Sequence, residues 1–247
     1  MDNEVFLKRT AIEDYQYNEA MKTLRTNIQF SGTGIQVVML TSSVPGEGKS
    51  ETTFHLAASL AQLDKKVLLI DADIRKSILV TRYQLDRRVD GLSQYLSGQK
   101  KLEEVVYKTN LPNLTMIFSG PYSPNPAELL AEPLFDKLVA WARENFDYVI
   151  IDTPPMGNLI DGAIISRNCD GAILVIESGN ISHRLLQKVK GQLEKSGCRI
   201  LGAVLNKVDV RQNSYYYYGT GNIMEKSIAA SIKTHRALKI CYSSAFS

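Results

Sequence analysis

A single α/β domain, with a mostly parallel sheet and helices on both faces, is the fold this chain predicts. Short apolar runs alternate with helix-patterned stretches almost throughout, which is the pattern of βαβ units. A run such as "IQVVML" is apolar along its length, as suits a strand covered on both sides. The length of 247 residues leaves room for one large domain of this kind.

Each element follows from local pattern. After a polar lead, "YNEAMKTLRTNIQF" places Ala20, Met21, Leu24 and Ile28 near helical spacing. Ile35–Ser43 is a short apolar strand, followed by a Gly-rich turn and a helix from about Lys49 to Leu63. "KKVLLIDAD" is the second strand. Residues 91–108 read as short helices, with "GLSQYLSG" set off by glycines. "LTMIFSG" is a strand, and "NPAELLAEPLFDKLVAWAREN" is helical with a break at Pro133. "FDYVIIDTPP", "DGAILVIES" and "CRILGAVLNKVD" are strands, separated by the helices "LIDGAIISRN" and "SHRLLQKVKGQLEKSG". The domain is predicted over residues 1–209. Residues 210–247 lose the pattern and are expected to form a flexible, tyrosine-rich tail. In residues 223–247, Ile228, Ile232 and Leu238 give only a ragged apolar face, a poor membrane anchor.

Composition narrows the function. A net charge of +3 is too small to argue for nucleic acid, so none is expected as a partner. Cys169, Cys198 and Cys241 show no metal-ligand spacing, and His55, His183 and His235 are scattered. No apolar run reaches the roughly 18 residues of a membrane span. The charged start "MDNEVFLKRT" has no apolar h-region, so a cytoplasmic location is expected.

"SVPGEGKS", Ser43 to Ser50, fits the phosphate-loop pattern G-x-x-x-x-G-K-[ST], except that Ser43 replaces the first glycine. Gly46 and Gly48 let the backbone curl so that its N–H groups face phosphates. The helix start adds positive potential. Lys49 can reach the β- and γ-phosphates, and Ser50 can ligate Mg²⁺. "LLIDADIRK" ends a strand with Asp71 and Asp73, and "VIIDTPP" ends another with Asp152. Carboxylates at the C-terminal ends of parallel strands face the ligand crevice. Each alone would also suit a helix cap or a solvated turn. With the loop, they imply a magnesium-nucleoside triphosphate. "NKVD", Asn206 to Asp209, matches the guanine-reading N-K-x-D and keeps GTP open beside ATP.

The motifs "EAMKTLRTNIQF", "SSVPGEGKS", "LLIDADIRK", "SGPYSPNPAELL", "VIIDTPP" and "GAVLNKVD", with the tyrosines Tyr215–Tyr218, resemble the bacterial tyrosine kinases of capsule and exopolysaccharide synthesis. The likeness covers about Glu19 to Tyr218. It implies the deviant P-loop fold of the partition and division ATPases. It implies that Pro45, Gly46, Glu47, Gly48, Lys49, Ser50 and Glu51 wrap the phosphates of ATP. It implies that Asn206 meets the adenine, which favours ATP over GTP. Lys49, Asp71, Asp73 and Asp152 become the catalytic set, with Ser50, Asp71 and Asp152 around Mg²⁺. Two departures stand out. The association motif E-x-x-R-x-x-R reads Glu19, Lys22, Arg25, and lysine lacks arginine's planar fork. The proline common after the second aspartate motif is Ser77.

The resemblance also gives the tyrosine run "SYYYYG" a use. Tyr215, Tyr216, Tyr217 and Tyr218 are expected to be phosphoacceptors, presented to a neighbouring subunit. It further implies association through Glu19, Lys22 and Arg25 when unphosphorylated, a membrane-anchored modulator that recruits the kinase to the inner face of the membrane, and a cognate tyrosine phosphatase. The competing reading is a partition- or division-site ATPase switch. Such a switch usually carries a lysine near the start of its loop, where this chain has Ser43-Val44, and needs no tyrosine cluster.

Overall fold

The computed structural model describes residues 3–10, 14–209 and 236–242. Its framework is a nine-stranded sheet among the described residues, in the order β1-β4-β5-β3-β6-β2-β7-β8-β9. The strands are β1 (Glu4–Val5), β2 (Val37–Ser42), β3 (Val67–Asp71), β4 (Val106–Thr109), β5 (Leu114–Ile117), β6 (Tyr148–Asp152), β7 (Gly171–Glu177), β8 (Ile200–Asp209) and β9 (Arg236–Tyr242). From β5 through β8 every pairing is parallel. β4 pairs antiparallel with β5, and β9 antiparallel with β8.

Alternation along the central strands sorts side chains to two layers. Val38 and Leu40 of β2 face one core with Leu69 and Ile150. There they meet α1 (Tyr15–Phe30) through Met21, Leu24 and Ile28, and α2 (Lys49–Ala61) through Phe54, Leu56 and Leu60. α3 (Leu79–Tyr83) closes this layer with Leu79 and Tyr83. Val37 and Met39 face the other core with Leu68, Ile70 and Ile151. That layer holds α4 (Leu92–Leu96), α5 (Leu102–Val105), α6 (Pro126–Leu130), α7 (Pro133–Asn145), α8 (Asp161–Ser166) and α9 (His183–Lys195). α1 starts where Asp14 accepts the N–H groups of Gln16 and Tyr17, a cap worth about 1 kcal/mol. Pro133 opens α7 at a position where its missing N–H costs nothing, so the expected break is a helix start.

Three expectations need correction. Residues 91–108 are not all helical, because Val106–Thr109 forms β4 along β5. β3 ends at Asp71, so Asp73 lies past the strand and not at its tip. Beyond Asp209 the chain is not all tail, because Arg236–Tyr242 adds β9 to the sheet edge. The expected phosphoacceptors Tyr215–Tyr218 lie outside the described residues. Among the described residues no helix is long and apolar enough to cross a membrane.

Candidate active site

The site sits at the C-terminal ends of β2, β3 and β6, where open α/β sheets place ligands. The loop leaving β2 turns through Gly46 and Gly48 at φ of +90° and +87°, backbone that a residue with a Cβ adopts only with strain. At Gly48 the space is also closed, since an added Cβ would lie 1.9 Å from Asn206 Nδ2.

Glu47 fixes the loop from inside. Its buried carboxylate accepts the N–H groups of Ser43 at 2.6 Å, Val44 at 2.8 Å and Glu177 at 3.0 Å. β8 braces the outside. Asn206 donates to the Glu47 carbonyl at 2.8 Å, and Lys207 donates to the Gly46 carbonyl at 2.7 Å. Pro45 is exposed on the loop. Glu51, on the first turn of α2, pairs at 2.8 Å with Arg82 of α3.

Lys49 opens α2, and its ammonium is buried. Nζ lies 2.7 Å from Asp152 Oδ1 and 3.1 Å from Ser50 Oγ. The same Asp152 oxygen accepts from Thr53 Oγ1 at 3.0 Å. Asp71 ends β3 in register with Asp152 at the end of β6. It receives the Ser77 hydroxyl. Burial, and next the charge of Asp152, push the Asp71 carboxyl up to about 7. Asp73 caps the turn that follows, accepting Lys76 N–H at 3.0 Å. Burial raises its carboxyl as well.

Two features suit an anion at the loop. α2 begins without a side-chain cap, leaving its first N–H groups to another acceptor. Ser43 Oγ is buried without a partner. Ser50, Asp71 and Asp152 offer the hard oxygens that Mg²⁺ takes. Among the described residues no group of three His, Cys, Asp or Glu could hold a metal by itself. A site that shares Mg²⁺ with substrate phosphates and water needs fewer protein ligands.

The sequence-predicted residues Lys49, Ser50, Asp71, Asp73, Asp152 and Asn206 therefore meet around one loop. Glu19, Lys22 and Arg25 lie apart, on α1. Glu19 and Lys22 pair with each other at 2.6 Å on an exposed face. Arg25 turns to its own chain, donating to Ser59 O at 2.7 Å and Ser59 Oγ at 3.1 Å. Sequence reasoning missed four contributors. Thr53 lies one helical turn after Lys49, a spacing that could have found it. Ser77 was noted only as a missing proline. Glu177 and Lys207 close the loop from β7 and β8, contacts that no local pattern announces.

Comparison with known proteins agrees with this geometry. A family model described as an AAA domain matches residues 35–196. The tyrosine-protein kinase CpsD of Streptococcus agalactiae is 42% identical over 219 residues, covering 86% of this chain and 96% of that protein. The kinase domain of the Escherichia coli tyrosine kinase ETK superposes with a TM-score of 0.75 at 35% identity, covering 82% of this chain and 80% of that one. The septum site-determining protein MinD of Pyrococcus horikoshii, complexed with Mg-ADP, superposes at 0.58 with 25% identity, over 68% of this chain and 69% of that one. The fold is thus shared with a division ATPase, while the sequence sides with the kinases. The chain belongs to the bacterial tyrosine kinases, built on a P-loop fold.

Proposed function

We propose that the chain transfers the γ-phosphoryl group of ATP to tyrosines 215–218 of a neighbouring subunit, in the control of capsular or exopolysaccharide synthesis. The observation that carries this reading is the Lys49–Asp152–Asp71 array buried at the mouth of a pre-curled phosphate loop. The loop backbone and the start of α2 cradle the phosphates, and Lys49 leaves Asp152 to meet charge developing on the transferred group. Mg²⁺, when bound, neutralises the phosphate oxygens, held by Ser50, Asp71 and Asp152. Asn206 braces the loop.

The two aspartates of "DAD" divide the work by position. Asp71 is wholly buried beside Asp152, which suits a metal ligand. Asp73 is mostly buried but lines an open cavity of about 980 Å³, the side from which a phenol would approach. A phenol of pKa about 10 is a poor nucleophile at neutral pH without a base. In the step proposed, the phenolic oxygen bonds to the γ-phosphorus as the bond to the bridging oxygen of ADP breaks. The electron pair leaves with ADP, and the phenol proton passes to Asp73.

Association through Glu19, Lys22 and Arg25 in the unphosphorylated state, a membrane-anchored modulator and an opposing phosphatase complete the proposal. The test is incubation of the purified chain with MgATP, followed by phosphotyrosine mapping. Label at residues 215–218 is expected. Phosphate release to water without phosphotyrosine would return the chain to the ATPase-switch reading.

A further inference from the structure

The cavity beside Asp73 holds more positive charge than the transfer reaction uses. Its lining includes Arg75, Lys76, Arg87 and Arg88 on one side of the account, and Asp73, Asp90 and Glu104 on the other. Several of these are already paired. Arg75 grips Asp161 with two hydrogen bonds, at 2.5 and 2.9 Å. Asp90 and Glu104 share Lys100, at 3.0 and 3.3 Å. What remains on the lining is Lys76, Arg87 and Arg88. All three are exposed, and none of them has a carboxylate within ion-pair distance among the described residues. Arg87 lies over the Tyr107 ring at 5.5 Å, which steadies the guanidinium and leaves its charge unneutralised.

Two adjacent arginines are a poor fit for a neutral phenol and a good fit for a phosphate, which they can bind with paired N–H groups. The volume is at the upper end of ligand cavities, enough for more than one side chain. The sequence "SYYYYG" supplies such a pair of groups on one chain. In extended backbone, tyrosines two apart point the same way about 7 Å from each other.

We propose that this cavity is a phosphotyrosine-reading subsite: Arg87 and Arg88, with Lys76, hold a phosphate already placed on one tyrosine of a cluster while a neighbouring phenol of the same cluster reaches Asp73. The inference rests on the kinase reading above and names its preferred substrate, a partly phosphorylated tyrosine cluster from a second copy of the chain. Charge then sets the order of events. One phosphotyrosine brings about −1.5 to −2 charges, within what three cations can match. Four bring about −6 to −8, which they cannot. The subsite therefore favours the second phosphorylation over the first; in the fully modified cluster no phenol is left for Asp73, and the surplus negative charge is set against Asp73, Asp90 and Glu104 of the same lining.

The test uses two synthetic peptides of sequence RQNSYYYYGTGN, one unmodified and one carrying phosphotyrosine at the position of Tyr218. Binding to the full chain is read by fluorescence anisotropy, and transfer is read as kcat/KM with MgATP. The phosphopeptide should bind on the order of tenfold more tightly and react with a correspondingly higher kcat/KM. In Arg87→Ala/Arg88→Ala the ratio between the two peptides should fall to about one. Arg87→Lys/Arg88→Lys, which keeps charge and loses the fork, should give an intermediate ratio. Equal binding of the peptides to the parent chain, or a ratio unchanged in the alanine variant, overturns the subsite. A binding preference without transfer to either peptide supports the subsite and counts against the kinase reading of this cluster.

Discussion

Asp71 and Asp152 stand opposite each other as register partners on adjacent parallel strands, both essentially inaccessible to solvent. Two carboxylates placed so cannot both carry full charge cheaply without a cation between them. Lys49 serves one of them, at 2.7 Å from Asp152. Asp71 has the Ser77 hydroxyl and the Asp73 N–H at 3.3 Å in place of a paired cation, and its carboxyl rises to about 7.

That shift makes a pH prediction. The folded chain holds the Asp71 proton more tightly than the unfolded chain does. The resulting stability is fully present below about pH 4 and is lost as pH rises through about 7. The slope in between is at most about 1.4 kcal/mol per pH unit. Asp71→Asn removes this dependence, and titrating groups distant from Asp71 cancel in the comparison. Denaturant midpoints of parent and variant, in chelator, should diverge in the variant's favour between pH 5 and pH 8. A difference that stays constant over that range would mean that Asp71 titrates as an ordinary carboxylate.

Lys49→Met should abolish transfer, and it should also unsettle the fold. It strips the cation from a buried carboxylate, a change that costs about 3–5 kcal/mol when nothing compensates. Thr53 remains on Asp152 and softens the loss. Thermal melts should show a clear drop in Tm at neutral pH. An unchanged Tm would show that the pair contributes little in the free protein.

Glu47→Ala should loosen the loop before it touches chemistry. Three backbone N–H groups lose their acceptor, one of them on β7. Leaving such groups unsatisfied costs about 1–3 kcal/mol each when they stay buried. Nucleotide affinity should fall at least tenfold by calorimetry, while Glu47→Gln, which retains a single acceptor oxygen, should lose less. Equal affinity in parent and Glu47→Ala would remove the clamp from the account.

On α1 the residues proposed for association should separate by role. Arg25→Ala breaks two bonds to Ser59 and should lower monomer stability by about 1 kcal/mol. Glu19→Ala breaks only an exposed pair and should cost under about 0.5 kcal/mol. If Glu19, Lys22 and Arg25 join subunits, native mass spectrometry should find the triple alanine variant monomeric even when unphosphorylated. Assembly unchanged in that variant would leave these residues with the local roles described.

The sequence made the centre of this site legible because the loop is a local object. Strand, turn glycines, lysine and helix follow one another within about fifteen residues, and their chemistry needs no distant partner to be read. Asp152 was legible for the same reason, as an acid closing an apolar strand. What escaped depends on the sheet. β4 is four residues long, too short for its strand-favouring Val106, Tyr107 and Thr109 to stand out from the helical turn before it without the pairing to β5. β9 is joined to the sheet by an antiparallel pairing whose register shifts, which no period in the sequence records. The bond of Arg25 to Ser59 escaped because the two lie thirty-four residues apart, on α1 and α2.

The central claim is that the buried array transfers phosphate to the tyrosines of another copy. Complementation between two defective chains tests it most directly. One chain carries Lys49→Met with Tyr215–Tyr218 intact. The other has an intact site and all four tyrosines changed to Phe. Neither should accumulate phosphotyrosine in its cluster alone. Mixed with MgATP, and with a modulator tail present, the Lys49→Met chain should become labelled at residues 215–218. No label on that chain, while the parent protein labels normally under the same conditions, would contradict transfer between subunits.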